Sequence, residues 1–212
     1  MHKQNILVVG LLMLVTLGVL TAGYASGHGP LGVFNYAIAR VSHANSGSAA
    51  PAVMVSESKS SAAPEFAPGV WINSEPLTLK SLRGRVVLVE FWTFGCYNCR
   101  NTLPAVKGWD ARYREKGLTV VGVHSPEMDN EKKLENVRRE VASLGIHYPV
   151  VTDNDYATWR AYDVEAWPTI FVLDKSGRIR WTHVGEGAYD ETEQVIQRLL
   201  AEGDKQAISK TN

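Results

Sequence analysis

The apolar and polar positions divide this chain into two unlike parts. An unbroken apolar run over residues 6–22 follows His2 and Lys3, and no Asp or Glu occurs before Glu57. The run just reaches the ~17 residues that span a bilayer, and it lacks the polar face expected of a helix at the surface of a soluble domain. Gly23 and Ala25, either side of Tyr24, place small residues where a signal peptidase reads. Residues 1–25 are therefore read as a membrane anchor or a signal peptide. Between about 42 and 68 the text turns to Ser, Ala, Pro and Gly, which bury too little apolar area to offset the entropy of ordering. Residues 26–65 are accordingly expected to form a flexible linker.

From residue 70 onward strand-like and helix-like periods alternate, which predicts an α/β domain over residues 66–202, followed by a C-terminal tail at 203–212. Segments 70–72 and 76–79 flank Asn73, Ser74 and Glu75 and predict a hairpin. Val86–Trp92 is apolar and β-branched except for Glu90, the pattern of a central strand buried on both faces. A helix is predicted over 99–116, kinked at Pro104 and stopped by Gly117. Leu118–His124 reads as the next strand, 130–144 as a charged amphipathic helix ended by Gly145, and 148–151 as a short strand. Asp153 and Asp155 are placed to cap a helix running to about Tyr162. Thr169–Leu173 and Ile179–Val184 bracket Asp174, Lys175, Ser176 and Gly177 as a second hairpin, and a last helix is predicted over 189–200.

Composition narrows the function. The 212 residues are 45% hydrophobic, enough for one substantial core, and 22 basic residues balance 22 acidic ones. Without a basic excess or run, the electrostatic attraction that nucleic acid requires is missing, so no nucleic-acid partner is expected. The only two cysteines, Cys96 and Cys99, lie three positions apart and cannot build the multi-bridge framework of small secreted scaffolds.

Their placement is chemical. Cys96-Tyr97-Asn98-Cys99 follows a buried strand and opens a helix, where unpaired amides and the helix dipole favour a thiolate. Cys96 is the expected nucleophile. Cys99, one turn later and more enclosed, suits a resolving thiol that closes the disulfide. A zinc site would need two further ligands, yet His124, His147 and His183 are scattered singly, so no metal is expected. A merely structural bridge across two residues would close too short a loop to stabilise much. Glu90, a carboxyl in an apolar strand, should have a raised pKa fit for acid–base work. Glu127, after His124-Ser125-Pro126 at a strand end, is a candidate second acid, because chemistry gathers at the carboxyl ends of strands. Trp71, Trp109, Trp159 and Trp181 are assigned to packing.

The run VVLVEFWTFGCYNCRNTLP, with Phe91-Trp92 ahead of the cysteine pair and Pro104 five residues beyond it, resembles the thioredoxin active-site segment. Trp167-Pro168-Thr169 resembles the cis-proline motif of the same family. With WINSEPLTLKSLRG, GVHSPE and YPVVTDNDYATWRAY, the chain resembles the TlpA-like and DipZ-like thioredoxins of bacterial envelopes over about residues 66 to 202. The resemblance implies a thioredoxin-like fold, a central mixed sheet flanked by helices, with an N-terminal hairpin and a helical insertion. It implies a thiol–disulfide oxidoreductase with no cofactor beyond the Cys96–Cys99 couple, and a role for Glu90 in proton transfer with the second cysteine. Trp92, Tyr97, Asn98, Trp167 and a cis Pro168 become the expected substrate-binding set, with Thr93 and Glu127 behind them. Implied partners are disulfide-containing proteins and, as electron donor, a membrane thiol reductase of CcdA or DsbD type. The implied location is the extracytoplasmic side of a bacterial envelope, with the membrane met through the N-terminal segment.

Tyr97 and Asn98 match neither the Gly-Pro of reducing thioredoxin nor the Pro-His of oxidising relatives. Potentials in this fold span roughly −270 to −120 mV, so this dipeptide leaves the direction of electron flow open. Two other functions compete. Thr93-Phe94-Gly95-Cys96 reproduces the Thr-x-x-Cys core of a thiol peroxidase, although Val89 stands where that family has proline. A copper-binding assembly protein of related fold would space its cysteines one residue wider and add a histidine.

Overall fold

The computed structural model describes residues 54–209, with side chains to 202. The expected anchor or signal peptide and most of the linker lie outside these residues. No helix among the described residues is long and apolar enough to cross a membrane.

One six-stranded mixed sheet organises the domain. Its strands are β1 (Trp71–Ile72), β2 (Val86–Trp92), β3 (Leu118–His124), β4 (Val150–Thr152), β5 (Thr169–Leu173) and β6 (Ile179–Val184), in the order β1-β4-β3-β2-β5-β6. β2, β3 and β4 run parallel, whereas β5, β6 and β1 join antiparallel. The helices are α1 (Tyr97–Tyr113), α2 (Leu134–Ser143), α3 (Ala157–Ala161) and α4 (Tyr189–Ser209). Every residue of β2 is buried, as its apolar text requires of a strand covered on both faces. Because side chains alternate along a strand, Val86, Leu88 and Trp92 join one core with Leu103, Val106 and Trp109 of α1, Val137 and Val141 of α2, and Val195, Ile196 and Leu199 of α4. Val87, Val89 and Phe91 face a second core with Leu79, Leu82, Tyr162 and Phe171.

Five sequence expectations need correction. The first hairpin does not form: β1 pairs with β4, Trp71 against Val151 and Ile72 against Val150. Asn73, at φ 66°, donates to the carbonyls of Ile146 and Tyr148 and so turns toward the β4 side. Pro76 has no N–H for a ladder, and reciprocal bonds between Thr78 and Ser81 close a turn that buries Leu79 and Leu82 instead. The helix expected over 130–144 is divided into a 3₁₀ turn at Asp129–Lys132 and α2, with extended backbone at Lys133. The last helix continues to Ser209, through most of the expected tail. Finally, the end of the expected linker docks: Val55 N–H donates to the Arg180 carbonyl, Ile179 N–H to Ser61, and Ala62 bridges Arg178. Ser60 binds the Arg178 guanidinium through hydroxyl and carbonyl, so this stretch finds its order in partners on β6. α1 runs through Pro104 as a continuous helix and begins at Tyr97, two residues earlier than expected.

Asp153 does act as a cap. Its buried carboxylate accepts from the N–H groups of Thr158 and Trp159 at 3.0 and 2.9 Å and from the Ser125 hydroxyl at 3.3 Å. Asp153→Ala leaves these donors unpaired, and we expect it to cost about 2 kcal/mol in urea unfolding at pH 7. A change below about 0.5 kcal/mol would show that water replaces the carboxylate without loss.

Candidate active site

β2 ends at Trp92, and Thr93, Phe94 and Gly95 turn the chain into α1. Cys96 is the N-cap of that helix: its sulfur accepts from the Cys99 N–H at 3.2 Å, and its carbonyl accepts from the Arg100 N–H at 3.2 Å. The two cysteines are disulfide-bonded, with Cα atoms 5.3 Å apart. Cys96 is half-buried and Cys99 fully buried against the first core. When the bond opens, an amide N–H and the positive end of a seventeen-residue helix therefore face the more accessible sulfur.

Glu90 is wholly buried in β2, on the same sheet face as Leu88 and Trp92, the face against which Cys99 packs. Tyr148 donates to its Oε2 at 3.1 Å, while Oε1 has no partner among the described residues. Burial pushes the Glu90 carboxyl up to about 8, only partly opposed by the Tyr148 hydrogen bond. Burial likewise raises the Tyr148 hydroxyl, with the neighbouring Glu90 adding to the effect. Tyr148 was read from sequence only as part of a short strand; its hydroxyl, the polar handle of an otherwise core aromatic, was the available signal.

Trp92 was expected to wall the site, but it is completely buried. It packs edge-on to His124, and a Cβ at Gly122 would lie 2.8 Å from its indole nitrogen. Trp92 therefore supports the site from below rather than facing a substrate. Thr93 is also fully buried, its hydroxyl 3.3 Å from His124 Nε2. His124 stacks on Phe94, and burial lowers its pKa to about 4, so the imidazole is neutral near pH 7.

The buried acid beside the reactive turn is Glu131, four residues beyond the expected Glu127. Glu127 has an exposed side chain, whereas Glu131 is buried beside the reactive turn. Glu131 Oε1 accepts from the Gly95 N–H at 2.9 Å, and Oε2 accepts from the N–H groups of Glu127 and Met128 at 2.6 and 3.0 Å. A Cβ at Gly95 would stand 2.2 Å from Oε1, so this approach requires glycine. Sequence periodicity assigned Glu131 to a charged helix face; the break at Lys133 that turns it inward has no local sequence signal.

Tyr97 and Asn98 are exposed between the cysteines, with Tyr97 at 76%. The Trp167–Pro168 peptide is cis. Trp167 is half-buried, donates its indole N–H to the Ser125 carbonyl at 3.0 Å and lies 4.3 Å from Trp159 between ring centroids. Trp159 was assigned to packing, and it packs against a residue of the expected substrate-binding set. The Pro168 carbonyl accepts from the Gly185 N–H, while Trp167 makes no backbone hydrogen bond among the described residues.

The geometry is that of a dithiol–disulfide switch set on a thioredoxin-like sheet, and the family model described as Redoxin matches residues 57–200. The chain belongs to the redoxin family. The redoxin is 45% identical over 133 residues to the protein DipZ of Mycobacterium bovis and Mycobacterium tuberculosis, a match over 61% of this chain but only 19% of DipZ. It is 28% identical over 132 residues to the thiol-disulfide oxidoreductase YkuV of Bacillus subtilis, covering 62% of this chain and 88% of YkuV. Among solved structures, a thiol-disulfide isomerase from Corynebacterium glutamicum superposes with a TM-score of 0.59 at 29% identity, over 65% of this chain and 96% of that one. With its disulfide-bonded CxxC pair, this redoxin has a thioredoxin-like fold and is similar to proteins named thiol-disulfide oxidoreductases.

Glu90 ties stability to pH. The folded chain keeps this proton up to about pH 8, whereas the unfolded chain releases it near 4.5. Between those values the folded state binds more protons, so the contribution is full below about pH 4.5 and is lost as pH rises toward 8. Glu90→Gln, which preserves an acceptor for Tyr148, should remove that slope. In denaturant titrations, we expect its stability relative to the parent to rise by up to about 4 kcal/mol between pH 5 and pH 8.5. Parallel pH curves for the two proteins would show that the carboxyl is not buried with a retained proton.

Proposed function

We propose that this redoxin reduces disulfides of proteins outside the cytoplasm and is itself re-reduced by a membrane thiol reductase of CcdA or DsbD type. The single observation that carries the reading is the asymmetry of the couple: Cys96 is partly exposed at a helix N-terminus, and Cys99 is buried behind it. The N-terminal apolar run, read as an anchor or signal peptide, supports the location, as does the resemblance to envelope thioredoxins.

Starting from the dithiol, the Cys96 thiolate attacks one sulfur of a substrate disulfide. A mixed disulfide forms, and the other substrate sulfur leaves as a thiolate that takes up a proton. Cys99 then loses its proton, attacks the Cys96 sulfur and expels the second substrate thiolate. The result is the intramolecular disulfide and a substrate dithiol, two electrons having passed to the substrate. Glu90, held near 8 by burial on the face where Cys99 packs, is suited to take the Cys99 proton and return it on re-reduction. A substrate strand laid beside the cis Trp167–Pro168 peptide would find the Trp167 backbone unpaired, with Tyr97 and Asn98 exposed at the rim. The peroxidase reading has no comparable support, because the hydroxyl of Thr93 is buried against His124.

Insulin reduction with a chemical dithiol as regenerant tests the scheme. Cys96→Ser should lose at least ~100-fold in rate, and Cys99→Ser should accumulate a substrate-linked species that a reducing gel dissolves. Activity of Cys96→Ser equal to the parent would overturn it.

A further inference from the structure

The Glu131 carboxylate has no part in the exchange steps above, yet it is buried beside them. Its three partners are all backbone N–H groups, and one belongs to Gly95, the residue immediately before Cys96. A carboxylate bonded to that amide lies within roughly 10 Å of the Cys96 sulfur, given ~3.8 Å between neighbouring Cα atoms. At such a range, in a partly buried setting, charges still interact appreciably.

The other charged or titratable groups around the thiol do not cancel this charge. From β3, His124 is neutral near pH 7. From α1, Arg100 is exposed and pairs with Glu140 of α2 at 3.8 Å. From the segment before α4, Glu186 is exposed and accepts from Asn101. Glu127, from the same loop as Glu131, is exposed to water, the adjacent Lys132 is paired with Asp129 at 2.8 Å, and the Tyr156 hydroxyl, raised by burial, is neutral near pH 7. Glu90 lies within the sheet and keeps its proton up to about pH 8. Among the described ion pairs, none involves Glu131.

We propose that Glu131 is a positioning residue of the redox couple: it holds the Gly95 turn that delivers Cys96 to the helix N-terminus, and its charge opposes ionisation of that thiol, keeping the couple a stronger reductant. The inference rests on the reading of Cys96 as the attacking thiol. Its logic is one of linkage. A negative charge beside a thiolate destabilises the reduced form, and whatever destabilises the dithiol favours giving its two electrons away. Against glutathione the balanced exchange is protein dithiol plus glutathione disulfide giving protein disulfide plus two glutathione thiols, and the charge shifts it toward products. The helix dipole pulls the thiol pKa down and Glu131 pushes it back.

Two substitutions separate charge from shape. Glu131→Gln removes the charge at nearly constant size, and Glu131→Asp keeps the charge while shortening its reach to Gly95. Both are measured in the full chain by the pH dependence of Cys96 alkylation by iodoacetamide and by equilibration with glutathione. Urea unfolding and insulin reduction are recorded alongside. In Glu131→Gln we expect the thiol pKa to fall by about 0.5–1.5 units and the equilibrium constant for oxidation at pH 7 to fall about two- to fivefold. In Glu131→Asp the thiol pKa should stay within about 0.3 units of the parent. If Glu131→Gln loses stability while the thiol pKa and redox equilibrium stay unchanged, the carboxylate only clamps the loop and the proposal fails. Should Glu131→Gln not fold, Gly95→Ala serves instead: its Cβ would meet Oε1 and push the carboxylate away, so an unchanged thiol pKa there overturns the proposal equally. Loss of the Cys96 requirement in insulin reduction would instead sink the functional reading, a separate outcome from either.

Discussion

The chemistry depends on one placement, a sulfur at the amino end of a long helix whose start is pinned to the end of a fully buried strand. A thiol that is both reachable and easily ionised needs unpaired amide groups at the surface, and helix termini supply them. β2 provides the rigidity. Buried on both faces between β3 and β5, it fixes Trp92, and only Thr93, Phe94 and Gly95 separate that residue from Cys96. Anything that loosened β2 would move the sulfur relative to the amides that stabilise it.

Two carboxyls bracket this arrangement and live in opposite surroundings. Glu90 sits in an apolar layer with a single hydroxyl donor and an unpartnered oxygen, so burial dominates and the proton is retained near neutral pH. Glu131 is equally hidden, yet three amide N–H groups take the place of water around it. The first group can exchange a proton with its surroundings in the working pH range. The second is wired to the backbone of the reactive turn. Equal burial thus meets two different surroundings, one hydroxyl donor at Glu90 and three backbone amides at Glu131.

How much of this was legible in the sequence follows from how local each signal is. β2, β3, β5 and β6 were readable because apolar and β-branched runs record burial directly, and Gly117 and Gly145 marked stops because their backbones at φ 104° and 62° favour glycine. Cys96, Cys99 and Glu90 were readable because two sulfurs at helical spacing and one acid in an apolar strand are unusual wherever they occur. The failures share a cause, since each concerns a partner distant in the chain. Pro76 to Leu79 carries a strand-like pattern, but β1 finds β4 across some eighty residues instead. Residues 55–63 look too poor to order by themselves, and they are ordered by bonds to β6. The choice between Glu127 and Glu131 turns on a loop whose path is set by Gly95, thirty-six residues earlier.

The docked residues 55–63 bear on how the domain is presented. They attach near Arg178, Ile179 and Arg180, at the start of β6, whereas Val184 at its other end pairs with Thr169, directly after cis Pro168. Since β6 runs antiparallel to β5, the first of these points is the end of the sheet remote from the disulfide. The buried Arg180 guanidinium reinforces the attachment by joining the Val55 carbonyl to Asp174 and, at the edge of the core, to Glu202 of α4. Residues 55–63 therefore pack at the pole of the sheet away from Cys96. None of the bonds that dock residues 55–63 reaches Tyr97, Asn98 or Trp167, so this docking and the cysteine pair occupy opposite ends of the sheet.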